Sequence, residues 1–125
     1  SSAGDINNDG YDDIIIGARF ADPNGDDAGE SYVVFGKASG TYSASLELSS
    51  LNGTNGFVIN GIDESDYSGN SVSSAGDINN DGYDDIIIGA ERADPNGDSS
   101  GESYVVFGQS EFDAFVNLSD LALME

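Results

Sequence analysis

The sequence predicts an all-β fold of antiparallel sheets packed face to face, and three observations support this. Short segments rich in β-branched and aromatic residues are separated by clusters of Gly, Asn, Asp and Pro. Helical periodicity is absent except for one turn over residues 46–51. A long stretch of sequence also occurs twice within the 125 residues, which indicates units that stack on one another.

Two nearly identical copies make up the repeat. A weaker match joins LELSSL, residues 46–51, to VNLSDL, residues 116–121. Repeats of this kind are typical of arrays in which each unit packs mainly on its neighbours. Residues 1–37 align with residues 73–109, and only five pairs differ: Arg19/Glu91, Phe20/Arg92, Asp27/Ser99, Ala28/Ser100 and Lys37/Gln109.

Each unit contains four predicted strands. Ile-Ile-Ile and Val-Val-Phe in the central strands are apolar on both strand faces, so both faces should be covered by other sheets. Four-stranded sheets stacked face to face meet this requirement, and they are the blades of a β-propeller. The predicted strands are SVSSAG (71–76), DDIIIGA (84–90), ESYVVFG (102–108) and FVING (57–61).

The register of the repeat divides the chain into two predicted blades. Residues 1–62 form the first blade, with a truncated first strand, because Ser1 matches Ser73. Residues 63–125 form the second blade, with its last strand missing, because no counterpart of residues 57–61 follows. Since propellers need at least about four blades, we expect about one and three-quarter blades of a larger propeller.

The composition excludes several classes of function. The formal charge is −21, with 24 acidic and three basic residues, which argues against binding to nucleic acid or to anionic membrane surfaces. The chain has no Cys and no His, so disulfides, thiolate zinc sites and histidine catalysis are excluded. The acidic residues form either a solubilising surface or, in part, a set of metal ligands.

An acidic loop in each copy has the spacing of a metal site. Oxygen-bearing side chains occupy positions 1, 3, 5 and 9, a Gly at position 6 allows a sharp turn, and a Tyr carbonyl is available at position 7. Such a set suits Ca²⁺, which takes six to eight oxygen ligands, better than Mg²⁺. The alternative is that these residues only form turns. The predicted ligands are Asp5, Asn7, Asp9, Tyr11 and Asp13 in loop 5–13, and Asp77, Asn79, Asp81, Tyr83 and Asp85 in loop 77–85.

The loop is not predicted to be an EF-hand. An EF-hand needs a bidentate acid at position 12, and that position is Ile16 or Ile88. The following Ile-Ile-Ile-Gly is also a poor helix former. Position 8, Asp12 or Asp84, is expected to be solvated or bonded to turn amides rather than to the ion.

A second acidic stretch also repeats, as ADPNGDDAGE (21–30) and ADPNGDSSGE (93–102). Its Gly lies earlier relative to the acids, and Pro23 stiffens the turn. A strand-to-strand turn is the better interpretation, and a further ion is the alternative.

The pattern GDxNxDGxxDxxxGA followed by YVVFG resembles the FG-GAP repeat, the blade unit of integrin α-subunit propellers and of many bacterial surface proteins. Gly17-Ala18 and Gly89-Ala90 match its Gly-Ala part, and Phe35-Gly36 and Phe107-Gly108 match its Phe-Gly part. The Pro expected after Gly-Ala is replaced by Arg19 or Glu91. The resemblance implies a calcium-binding hairpin loop between the first two strands of a blade, and a role in adhesion or protein binding.

These features predict a calcium-binding, non-catalytic propeller segment of a secreted or cell-surface protein. Its expected cofactor is Ca²⁺ at two sites, and its expected partners are other proteins or surface glycans. The alternatives are a segment of, or attached to, an extracellular hydrolase, and a purely structural spacer. Because the copies are nearly identical, head-to-tail self-association is also expected.

Overall fold

The computed structural model describes residues 1–22, 25–93 and 100–121. Within these residues the backbone forms eight β-strands, a four-residue α-helix and one 3₁₀ turn, Leu48–Ser50. No helix among them is long and apolar enough to cross a membrane. The all-β prediction is confirmed. The elements are β1 Ser2–Gly4, β2 Asp13–Ala18, β3 Glu30–Val34, β4 Gly56–Asn60, β5 Ser68–Gly76, β6 Asp85–Ala90, β7 Glu102–Val106, β8 Phe115–Asn117 and α1 Leu118–Leu121.

The first sheet has the strand order β1-β2-β3-β4-β8. Strands β1 to β4 are antiparallel neighbours, as in a four-stranded blade. Strand β8 comes from the end of the chain and pairs in parallel with β4, with Val58 opposite Phe115. The Asn60 side-chain amide donates a hydrogen bond of 3.0 Å to Asn117 Oδ1. The outer edge of β4 is therefore covered by a strand that the sequence pattern did not predict.

The second sheet has the order β5-β6-β7, all antiparallel. Its register repeats that of the first sheet, since Ile16 pairs with Tyr32 and Ile88 pairs with Tyr104. Strand β5 has nine residues and β1 has three. The predicted strands of both copies are thus confirmed, whereas the division of the chain at residue 62 stays a prediction.

The apolar core lies between the two sheets. On β2, Ile15 is fully buried while Ile14 and Ile16 are exposed; on β6, Ile86 and Ile88 are fully buried while Ile87 is exposed. Because successive side chains of a strand point to opposite faces, opposite faces of the two copies meet. The prediction that both faces of the central strands are covered is met on one face only in β2 and β6. In β3 both Val33 and Val34 are buried, because Leu48 and Leu51 cover the face that carries Val34.

Three aromatic rings connect the segment before β8 to the first sheet. Phe112 stacks on Phe57 with ring centroids 4.1 Å apart, and Phe35 lies 5.9 Å from Phe57 and 6.2 Å from Phe112. The backbone follows the same path, since the Val58 N–H donates to the Ala114 carbonyl at 2.9 Å. The connection from β7 to β8 is therefore part of the core.

The weaker repeat match also has a structural counterpart. The 3₁₀ turn Leu48–Ser50 and helix α1 begin at equivalent positions of LELSSL and VNLSDL. Leu118 is fully buried, and Leu48 packs against a smaller cluster of Val34, Leu51 and Val58. The predicted helical turn at residues 46–51 is confirmed as a 3₁₀ turn.

Candidate metal centre

The two acidic loops connect the first two described strands of each sheet, from β1 to β2 and from β5 to β6. The two loops turn in the same way. Asn8 and Asn80 have φ of 56° and 57°, and Gly10 and Gly82 both have φ of 91°. A left-handed residue followed by Gly at position 6 produces the sharp turn that the spacing predicts.

The first aspartate organises each loop through backbone amides. Asp9 N–H donates to Asp5 Oδ1 at 3.0 Å and Gly10 N–H to Asp5 Oδ2 at 2.9 Å. In the second loop the corresponding bonds to Asp77 are 3.0 and 2.8 Å. The Gly82 N–H in particular lowers the pKa of the Asp77 carboxyl below its usual range. In both loops the position-1 carboxylate is thus fixed by the amides of its own turn.

The position-9 aspartate is buried and connects the loop to the third strand. Asp13 is 1% exposed, and its Oδ2 and Oδ1 accept from Ile6 N–H at 2.9 Å and Gly36 N–H at 2.8 Å. Asp85 accepts from Ile78 and Gly108 in the same way. Burial raises the pKa of Asp13 to about 6, against the lowering effect of the two amides.

The third carboxylate of each predicted ligand set, at position 5, also accepts a backbone amide. Among the described residues, no group of three or more His, Cys, Asp or Glu side chains is placed to hold a metal ion. Asp9 Oδ1 and Asp81 Oδ1 instead accept from the N–H groups of Tyr11 and Tyr83. Ion binding would require the side chains to exchange part of these bonds for metal contacts, so the ligand assignment stays a prediction.

One atom in the first loop fits a cation without such an exchange. Asn7 Oδ1, at position 3, is buried and has no hydrogen-bond partner. A buried carbonyl oxygen without a partner costs free energy, and a cation is a partner for it. The loop otherwise offers carboxylates and backbone carbonyls, which are the ligands of a hard cation. The donor set therefore fits Ca²⁺.

Position 8 has a role that the sequence did not reveal. Asp84 Oδ2 accepts from the Asp5 N–H of the other repeat at 2.9 Å, and the Asp84 N–H donates to the Asp5 carbonyl at 3.2 Å. The Gln109 N–H donates to the Ile6 carbonyl at 3.1 Å. A Cβ on Gly108 would lie 2.3 Å from the Asp84 carbonyl and 2.5 Å from that of Ile6, so glycine permits this contact.

The expectation for Asp12 and Asp84 is therefore only partly correct. Asp84 is bonded to an amide, as expected, but the amide belongs to the neighbouring repeat. The signal in the sequence is an acid retained in both copies outside the ligand positions. Spacing within a loop contains no information about which neighbouring unit the extra acid would meet.

The described part of the second acidic stretch forms a turn between β2 and β3. The Asp27 N–H donates to Asp22 Oδ1 at 2.7 Å, and the Gly29 N–H donates to the Ala21 carbonyl at 2.9 Å. This agrees with the turn interpretation. Residues 23, 24 and 94–99, which include most of the second copy of this stretch, lie outside the described residues.

Two basic residues lie at the contact between the repeats. Arg19 Nη1 donates to Asn70 Oδ1 at 2.8 Å and lies 3.7 Å from Glu91 Oε1. Arg92 lies over the ring of Tyr67, 4.9 Å from its centroid. Arg19/Glu91 and Phe20/Arg92 are positions at which the repeats differ, so this divergence is concentrated at their junction.

Comparison with known proteins agrees with the repeat and with the fold. The model of the FG-GAP repeat family matches residues 1–34 and 68–106. The chain belongs to the FG-GAP repeat family.

Integrin α-subunits are among its similar proteins. Integrin alpha pat-2 of Caenorhabditis briggsae is 32% identical over 120 residues, which are 86% of this chain and 9% of that protein. Integrin alpha-5 of Xenopus laevis is 34% identical over 94 residues, 71% of this chain and 8% of that protein. Integrin alpha-8 of Mus musculus is 36% identical, with the same coverage. The chain thus spans less than a tenth of the length of these relatives.

Proposed function

We propose that this chain is a calcium-binding, non-catalytic propeller segment of a secreted or cell-surface protein that acts in adhesion or protein binding. Its membership of the FG-GAP family and its likeness to integrin α-subunits support the adhesion role. The observation that supports calcium most directly is the buried Asn7 Oδ1, which has no partner inside an oxygen-rich loop. We also propose that the protein is a bacterial-type surface protein and that it is located outside the cell.

Each loop would hold one Ca²⁺ through four side chains and one carbonyl. In the first loop these are Asp5, Asn7, Asp9 and Asp13 with the Tyr11 carbonyl, and the second loop supplies the equivalent atoms. Three carboxylates around one divalent ion leave a small negative charge. The ion would therefore remove most of the repulsion among the loop acids.

The ion would have a structural role in this position. Asp13 is bonded to the backbone of Gly36 at the end of β3, and Asp5 is bonded to Asp84 of the other repeat. An ion shared by Asp5 and Asp13 would connect the loop, its own sheet and the neighbouring sheet. We therefore expect calcium binding to stabilise the contact between the two sheets.

Titration calorimetry of the 125-residue chain tests this proposal. We expect two Ca²⁺ per chain for the wild type and one for Asp9→Asn. This substitution removes a ligand charge but keeps Oδ1, which accepts the Tyr11 N–H at 2.9 Å. Asp13→Asn is a poorer test, because each of the two carboxylate oxygens of Asp13 accepts a backbone N–H and asparagine has only one such oxygen.

Asp12→Asn is the matched control. It removes the same charge from the same loop, but at a position outside the predicted ligand set, and it should still bind two ions. No heat of binding at millimolar Ca²⁺, or two ions per Asp9→Asn chain, would contradict the ligand assignment.

A further inference from the structure

The two acidic loops are bonded directly to each other. Asp5, the first predicted ligand of the first loop, donates its N–H to Asp84 Oδ2 at 2.9 Å, and its carbonyl accepts the Asp84 N–H at 3.2 Å. Asp84 lies between Tyr83 and Asp85, two predicted ligands of the second loop. Since both partners lie inside the chain, this contact does not depend on what precedes or follows the two repeats.

A second link between the loops runs past the end of β7. Asp85 Oδ1 accepts the Gly108 N–H at 2.8 Å, and the next residue, Gln109, donates its N–H to the Ile6 carbonyl at 3.1 Å. The Ile6 N–H in turn donates to Asp13 Oδ2 at 2.9 Å. Hydrogen bonds through the backbone thus connect the position-9 aspartates of the two loops.

These links hold the segment that begins the first loop. Both backbone groups of Asp5 and the carbonyl of Ile6 bond to the second repeat. Asn7, the next residue, has the buried Oδ1 that lacks a partner. The backbone that positions two predicted ligands, Asp5 and Asn7, is therefore held by the other repeat.

We propose that the two loops bind calcium cooperatively and that Asp84 couples them, an inference that rests on the proposed function. An ion held by the Tyr83 carbonyl and Asp85 would fix Asp84, which lies between them. The acceptor of the Asp5 N–H is then already ordered, so the first loop loses less conformational freedom when it binds its own ion. Coupling of this kind is reciprocal, so occupancy of the first loop raises the affinity of the second by the same factor.

The charge of the ions acts against this coupling. An ion in one loop reduces the negative potential that attracts a cation to the other. Asp9 and Asp81 are exposed, and salt screens interactions between exposed charges beyond about 8 Å at physiological ionic strength. Hydrogen bonds between the loops are not screened in this way, so the cooperativity should increase with salt.

Titration calorimetry with Ca²⁺ at physiological and high salt tests the proposal. Asp81→Asn leaves only the first loop able to bind, and Asp9→Asn leaves only the second. Both variants keep the Oδ1 that accepts a tyrosine N–H. For independent loops, the overall association constant of the wild type equals the product of the two single-loop constants. We expect it to exceed that product at least about fivefold.

The same titrations repeated with substitutions of Asp84 identify the coupling residue. Asp84→Ala should still bind two ions, because Asp84 is outside the predicted ligand set, but its excess over the product should fall to about one. Asp84→Asn removes the same charge and keeps an oxygen for the Asp5 N–H, so it should retain part of the excess. Asp12→Ala, at the equivalent position of the first loop, is the matched control and should retain all of it.

Nuclear magnetic resonance gives a second measurement that does not require Asp84→Ala to fold. In Asp9→Asn only the second loop binds, yet Ca²⁺ should shift the amide resonances of Asp5 and Ile6 in the empty first loop. The amide of Asp27, which bonds to Asp22 in the turn between β2 and β3, should not shift. Unchanged Asp5 and Ile6 resonances at saturation would overturn the coupling.

The outcomes separate the coupling from the proposed function. A wild type that binds no Ca²⁺ overturns both. Two ions bound with an overall constant equal to the product overturns the coupling alone. An excess that Asp84→Ala leaves unchanged, or that Asp84→Asn removes as completely as Asp84→Ala, overturns the assignment to the hydrogen bond between Asp84 and Asp5.

Discussion

At the scale of single residues, the aspartates of the two acidic loops have three different structural roles. Asp5 binds the amides of its own turn, and Asp13 joins the loop to Gly36 near the end of β3. Asp84 accepts a hydrogen bond from the Asp5 N–H of the other repeat. Ligand spacing predicts the turn and the oxygen-rich site, whereas the role of Asp84 depends on a partner 79 positions away and follows only from the packing of the sheets.

Asp84→Ala should destabilise the chain while Asp12→Ala does not. Removing Asp84 leaves the partly buried Asp5 N–H without its acceptor, which costs about 1–3 kcal/mol. Asp12 has the same sequence neighbours but is exposed. Urea unfolding at low protein concentration measures both. Equal losses of unfolding free energy in the two variants would show that the bond between Asp84 and the Asp5 N–H contributes nothing to stability.

The raised pKa of Asp13 predicts a pH dependence in calcium-free buffer. Its pKa is about 6 in the folded protein against an ordinary value of 3.8, mainly because the carboxyl is buried. Between about pH 4 and pH 6 the folded state thus holds a proton that the unfolded state has lost. The contribution of this group to stability therefore falls as pH rises through that window.

Asp13→Asn removes this titration and is the control. Its free energy of unfolding should be lower at all pH values, but should decline less between about pH 4 and pH 6 than that of the wild type. Parallel curves from chemical unfolding would show that Asp13 does not titrate in that range. With Ca²⁺ present, the ion would compete with the proton and reduce the difference.

At the scale of strands, the sequence predicted which segments form strands. It predicted less well how the strands pair and which of their side chains are buried. The Ile-Ile-Ile and Val-Val-Phe segments form the predicted strands because β-branched and aromatic residues favour a pleated, packed surface. Strand β8 was not predicted, because its pairing depends on β4, which lies far earlier in the chain. Which isoleucines are buried also depends on the second sheet, since both copies read DIIIGA.

This difference between copies predicts unequal effects of the same substitution. Ile88→Ala should cost about 2–5 kcal/mol, because Ile88 is fully buried and its truncation leaves a cavity. Ile16→Ala, at the equivalent but exposed position, should cost much less. Denaturant unfolding of both variants at low concentration compares them. Similar losses would mean that the two sheets do not pack as described.

At the scale of the whole molecule, the high negative charge and the stacked sheets act in opposite directions. Acidic side chains far outnumber basic ones, 24 to three, and this self-repulsion disfavours a compact state. The packing of Ile15, Ile86 and Ile88 between the sheets favours it. A divalent ion in each loop would lower the repulsion where the acids are densest and leave the apolar contact unchanged.

Calcium should therefore raise the melting temperature. For an extracellular-type affinity near 10⁻⁴–10⁻³ M and about 1 mM free Ca²⁺, mass action gives about 0.4–1.4 kcal/mol per site. Scanning calorimetry with Ca²⁺ and with EDTA measures the effect, and the same concentration of Mg²⁺ controls for general screening. An equal rise with both ions would argue against a calcium-selective loop.

The parallel pairing of β8 with β4 also has a consequence for biosynthesis. The β4 edge of the first sheet stays unpaired until residues 115–117 have left the ribosome. By then the whole second sheet has been synthesised. The nascent first repeat thus presents bare backbone donors and acceptors during translation. Pauses that lengthen this interval would favour pairing with strands of other nascent chains.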